Sequence, residues 1–61
     1  MNDAELIGMD VSDAIDMLDE AGTRHRIEYE DGQSFMLTMD FRMDRVNLSI
    51  ENGKVIKTRR G

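Results

Sequence analysis

The chain has 61 residues, no cysteine and no proline, and a formal net charge of −5. It is one small domain, residues 1–61, with a marginal core, no disulfide to staple it and no thiolate for a structural zinc site. The acidic balance argues against a nucleic-acid partner, because phosphate binding needs a basic surface. No apolar run approaches the ~20 residues that span a bilayer, which argues against a membrane-spanning role. The start, Met1-Asn2-Asp3-Ala4-Glu5, is acidic and unlike the basic start of a signal peptide, and nothing here fixes a compartment.

Charge is unevenly spread. Acid dominates the first 31 residues, whereas Arg42, Arg45, Lys54, Lys57, Arg59 and Arg60 lie in the last third, so the two halves are expected to attract each other. Leu6-Ile7-Gly8 reads as an apolar anchor followed by a turn. Asp10 is placed to cap a helix, with Asp13 three residues on, and Gly22 to stop it. Between them Val11, Ala14, Ile15, Leu18 and Ala21 form one apolar face, which predicts a helix over Val11–Ala21. The opposite face carries Asp13, Asp16, Asp19 and Glu20. No second acidic cluster and no calcium-loop pattern accompanies them, so they read as a solvated face and no metal or cofactor is expected.

From Thr23 to Glu30, His25, Ile27 and Tyr29 alternate with Arg24, Arg26, Glu28 and Glu30, which predicts a strand with the first set facing inward. His25 is the sole histidine. With no serine or cysteine in an activating pattern it reads as a strand-end residue, and the chain is not expected to be an enzyme. Asp31-Gly32 signals a turn into the central segment. Beyond it, Val46, Leu48 and Ile50 alternate with Asn47, Ser49 and Glu51, and Asn52-Gly53 joins this strand to Val55-Ile56 as a hairpin.

Roughly fifteen residues separate the first strand from that hairpin, far more than an ordinary hairpin loop holds. Phe35, Met36, Leu37, Met39, Phe41 and Met43 within it are too many to face one small core, and arginines brace them. That composition marks an exposed binding loop. A core role for Met36, Met39 and Met43 is the plainer alternative, since methionine fills irregular gaps. The predicted fold is α+β: one amphipathic helix packed on a small mixed three-to-four-stranded sheet, with a long exposed loop.

Leu6-Ile7-Gly8, the helix, the run Thr38-Met39-Asp40-Phe41-Arg42-Met43-Asp44-Arg45-Val46 and the final Arg59-Arg60-Gly61 together resemble the potato inhibitor I family of serine protease inhibitors, its bacterial relatives included. The resemblance runs in order from Glu5 to Gly61. It implies that Met39-Asp40 is the reactive bond and that Met36, Leu37, Thr38, Phe41 and Arg42 complete the protease-binding loop. It further implies that Arg45 braces Thr38 and Asp40 from the scaffold, and that Arg59 and the Gly61 carboxylate support that network. Two departures stand out. A second bracing arginine, common in the family, is replaced by Asn47, and the tryptophan many members carry near the amino terminus is missing, with Asp3 near its place.

The resemblance implies a substrate-like inhibitor of subtilisin- or chymotrypsin-like proteases; a monomer is expected, with a small oligomer paired through exposed Phe35 and Met36 as the alternative. A loop already fixed in the bound shape loses little conformational entropy on binding. Met39, long and apolar, suits a deep hydrophobic specificity pocket. If Met39-Asp40 is cut, a clamped loop keeps the new amine beside the acyl-enzyme, so religation outruns hydrolysis. An Arg45–Asp40 hydrogen bond of this kind is worth ~1.5–3 kcal/mol when shielded. The alternative from another class is a non-inhibitory protein-interaction module on the same fold.

Overall fold

A computed structural model describes residues 2–35 and 43–60 of the chain. A 3-10 turn over Asp3–Leu6 leads into helix α1 (Val11–Glu20). Strands β1 (Arg24–Glu30), β2 (Gln33–Ser34), β3 (Arg45–Glu51) and β4 (Lys54–Arg60) follow. They form one sheet in the order β2-β1-β3-β4, with β1 parallel to β3 and the β1–β2 and β3–β4 pairs antiparallel. The result is an α+β fold with one helix on a four-stranded mixed sheet.

Helix α1 spans ten residues, too short to persist alone, so its stability comes from packing. Ala14 and Leu18 are buried against Leu6, Val46, Leu48, Ile50 and Val55, with Val11, Ile15, Met17 and Ile27 packed around them. Each buried Leu, Ile or Val contributes about 1.5–3 kcal/mol. Ala21, expected on the apolar face, is exposed at the helix end, and Ile7 is half exposed while Leu6 alone anchors the turn. The carboxylates of Asp13, Asp16, Asp19 and Glu20 point to solvent.

The two helix ends are satisfied differently. At the carboxyl end Gly22, with φ +69°, lets Thr23 donate to the Leu18 carbonyl and Gly22 to that of Asp19, the paired bonds of a Schellman cap. At the amino end Asp10 stands at the cap position, yet its side chain makes no capping bond. Its carboxylate pairs with Lys54 at 2.7 Å, and the Val11 amide donates instead to the Gly53 carbonyl at 2.8 Å. The turn of the β3–β4 hairpin thus caps the helix.

Asp31 and Gly32, and again Asn52 and Gly53, have positive φ at both central turn positions. This is the mirror-image turn that matches strand twist. Asp31-Gly32 closes a short hairpin onto β2, an element absent from the sequence reading. The Asn52 amide donates to Asp31 Oδ1 at 2.8 Å, which ties the two turns together.

Parallel pairing of β1 with β3 also explains the long central segment. A parallel pair needs a crossover of a dozen or more residues, because the chain must return the length of the sheet before it pairs again. Residues 31–44, β2 among them, separate the two strands in sequence. Their number has a topological cause whatever their role.

Register decides which side chains share a face. His25, Val46 and Arg60 stand opposite one another, as do Ile27, Leu48 and Thr58, on the helix side. Arg26, Asn47 and Arg59 form a row on the outer side, followed by Tyr29, Ser49 and Lys57. β1 and β4 each carry one extra residue where the register shifts, Glu28 between the partners of Leu48 and Ser49 and Ile56 between those of Ser49 and Ile50. The shift in β1 moves Tyr29 to the outer face, away from His25 and Ile27, with which simple alternation had grouped it. Its hydroxyl donates to Glu51 Oε1 at 3.2 Å.

Candidate functional site

The residues expected to form the protease-binding loop, Met36, Leu37, Thr38, Met39, Asp40, Phe41 and Arg42, lie outside the described residues, as does Gly61. The scaffold around them does not. Phe35 donates its amide to the Glu28 carbonyl at 3.0 Å, so the approach to the segment is held against β1. On the far side the Met43 carbonyl accepts from Arg60 Nη1 at 3.4 Å, and Asp44 stands 3.8 Å from Arg24 in a solvent-exposed pair. Met43 is 67% exposed and is not a core residue.

Asn47 lies at the centre of the outer face of β3 and is 0% exposed. A buried amide is costly unless its polar atoms find partners. Here Oδ1 accepts from Arg26 Nε at 2.7 Å and Nδ2 donates to the Arg59 carbonyl at 3.2 Å, so one side chain links all three long strands. Arg59 contributes to this row through its backbone. Its guanidinium turns to Glu28, with Nη2 and Nε donating to Oε1 at 2.6 and 3.2 Å. Arg45, half-buried at the start of β3 and in register with Arg24, is also engaged in polar contact.

Arg60 forms a second anchor. Its Nε and Nη2 donate to the two oxygens of Asp3 at 2.7 and 2.8 Å, tying the amino-terminal turn to the last strand. The Arg60 hydrogen bond holds the Asp3 carboxyl below its ordinary value of 3.8, against the opposing effect of desolvation. The same bond raises Arg60, as the Glu28 bond raises Arg59. Asp3–Arg60, Asp10–Lys54 and Glu28–Arg59 all join the acidic first half to the basic last third. The expected attraction between the halves is therefore realised as ion pairs. Asp3 fastens this end by charge.

Of the residues expected to support a loop, Asn47 and Arg59 meet directly, and Arg45 lies on the same strand two residues before Asn47. Arg26, Glu28, Arg60 and Asp3 were not among them. Their part depends on which strand lies beside which, and only the alternation of β1 with charged residues hinted at it. His25 keeps its Nδ1 3.2 Å from the Thr23 carbonyl and its Nε2 3.8 Å from Asp19. No group of three or more His, Asp or Glu able to hold a metal occurs among the described residues.

Beside the row, the outer face has a shallow cavity of about 400 Å³ lined by Glu28, Tyr29, Ser34, Phe35, Ser49, Ile56 and Lys57. Phe35 and Ile56 are 41% and 45% exposed there. The two extra residues, Glu28 and Ile56, both line it.

No protein-family model and no curated protein matches the chain.

Proposed function

We propose that the chain is a substrate-like inhibitor of subtilisin- or chymotrypsin-type serine proteases, with Met39-Asp40 as the reactive bond. The observation that carries the reading is the anchoring of both flanks of residues 36–42. Phe35 is bonded to β1, Met43 to Arg60 of β4, and β1, β3 and β4 are joined through Asn47. A segment held at both ends loses little entropy on entering a protease cleft and, once cut, keeps its new termini together. Met39 would fill a hydrophobic specificity pocket, and Arg45 would brace the residues on either side of the bond. The resemblance to the potato inhibitor I family supplies the residue assignments.

Titration of subtilisin and chymotrypsin with the protein, beside a Met39→Asp variant, tests this. The expected result is stoichiometric inhibition by the parent that is lost in the variant. Rapid cleavage without inhibition would overturn the reading and leave an interaction module on the same fold, for which exposed Phe35 and Ile56 provide apolar surface.

A further inference from the structure

We infer that Arg26 is a positioning residue for the proposed reactive segment, acting through Asn47 by fixing the spacing and register of β1 and β3. The inference rests on the inhibitor reading and adds to it a residue on a different strand from the expected supports.

The geometry places Arg26 where such a role is exercised. It stands opposite Asn47 across the parallel pair, and its Nε donates to Asn47 Oδ1 at 2.7 Å, within the range of a charge-assisted bond. Asn47 is fully buried and passes the connection on to the Arg59 carbonyl of β4. The chain leaves β1 through the Asp31-Gly32 turn and β2, reaches residues 36–42 past Phe35, whose amide is bonded to Glu28 two residues after Arg26, and returns through Met43 and Asp44 directly ahead of β3. Arg26 and Asn47 thus tie together β1, to which the Phe35 flank is bonded, and β3, into which the Met43-Asp44 flank runs. A change in their separation is passed to both flanks at once. Packing does not substitute for this, because the apolar contacts of β1 and β3 lie on the other face.

Arg26 also suits the task chemically. A guanidinium donates from several nitrogens in a fixed plane, so one can engage Asn47 and still serve another acceptor. Lysine keeps the charge and loses that plane.

The test compares Arg26→Gln, Arg26→Lys and the exchange Arg26→Asn with Asn47→Arg, which swaps the two partners across one register pair. Asp10→Asn, which breaks the distant Lys54 pair, controls for stability. Two readouts are taken: the inhibition constant against subtilisin, and the rate of Met39-Asp40 cleavage by a broad-specificity protease followed by mass spectrometry. Arg26→Gln is expected to weaken inhibition and speed cleavage by about ten- to a hundredfold, the equivalent of one charge-assisted bond. Asp10→Asn should leave both within about twofold of the parent. Arg26→Lys should fall between, and the exchange should recover part of the loss.

Equal cleavage rates in Arg26→Gln and the parent would overturn the inference. So would losses in Arg26→Gln that Asp10→Asn reproduces at matched melting temperature. If the parent itself does not inhibit, the functional reading fails. The cleavage rates then still decide whether Arg26 orders the segment.

Discussion

On the helix side of the sheet, Val46, Leu48, Ile50 and Val55 meet Leu6, Ala14 and Leu18 with no polar atom among their side chains. On the other side the same strands present Arg26, Asn47, Arg59 and Glu28, joined by directed bonds. Both faces of β3 are buried, so the difference is one of kind and not of exposure. Apolar contacts need volume and tolerate small shifts in position. Hydrogen bonds need particular atoms at particular distances, and a lost partner leaves a buried group unsatisfied. The inner face therefore supplies most of the stability, and the outer face fixes how β1, β3 and β4 are spaced.

The sharpest way to break that contrast is to remove volume from the inner face. Leu48→Ala should cost about 2–5 kcal/mol, comparable with the whole stability of a domain this small, and urea unfolding followed by circular dichroism would show it. A loss below about 1 kcal/mol would mean that the inner face is not what holds the fold. Asn47→Ala should cost about 1–3 kcal/mol on the same assay, because Arg26 and the Arg59 carbonyl lose their shared partner. Unlike Leu48→Ala, it should speed cleavage of the central segment by more than its stability loss accounts for.

Gly53→Ala tests the turn that both closes the hairpin and caps the helix. A methyl group there meets no neighbour, but φ is +74°, so the cost is conformational and about 1–2 kcal/mol. The smallest effect concerns the charged anchor of the amino-terminal turn. Asp3 is held below 3.8 by Arg60, so its contribution is present above the unfolded carboxylate value and is lost as pH falls through the lowered folded one. Asp3→Asn should be less stable than the parent by about 0.5–1 kcal/mol at pH 7. That gap should close in acid, from about pH 4 downward, as Asp3 of the parent is protonated. A gap independent of pH would show that packing and not charge holds this turn.

The helix and the β3–β4 hairpin were legible because each rests on local chemistry. Helical spacing, Gly22 and Asn52-Gly53 specify backbone geometry within a few residues, and those elements lie where the pattern put them. The alternation of Val46, Leu48 and Ile50 likewise identified the core strand. What depends on neighbours far along the chain was not legible. Asp10 is at the cap position, but Lys54 takes its carboxylate and Gly53 takes the helix amide. Asn47 and Arg59 are singled out in the sequence only through a resemblance, and the structure brings the Asn47 side chain to the Arg59 carbonyl. That Arg26 would lie beside Asn47 follows from the parallel pairing, which no local motif encodes. β2 escaped notice because two residues carry no periodicity.

The two register shifts have a consequence for how this sequence can be set beside others. Glu28 has no partner in the β1–β3 ladder and Ile56 none in the β3–β4 ladder, so the loss of either residue would leave the pairs of that ladder in place, though loss of Glu28 would also remove its bonds to Phe35 and Arg59. Elsewhere in these strands a single deletion turns all later side chains inside out. Chain length is therefore negotiable by one residue at these two points and nowhere else in β1, β3 or β4. An ungapped alignment across either point, with a protein lacking the extra residue, would match outward positions to inward ones. A one-residue gap there would keep inward positions matched to inward ones.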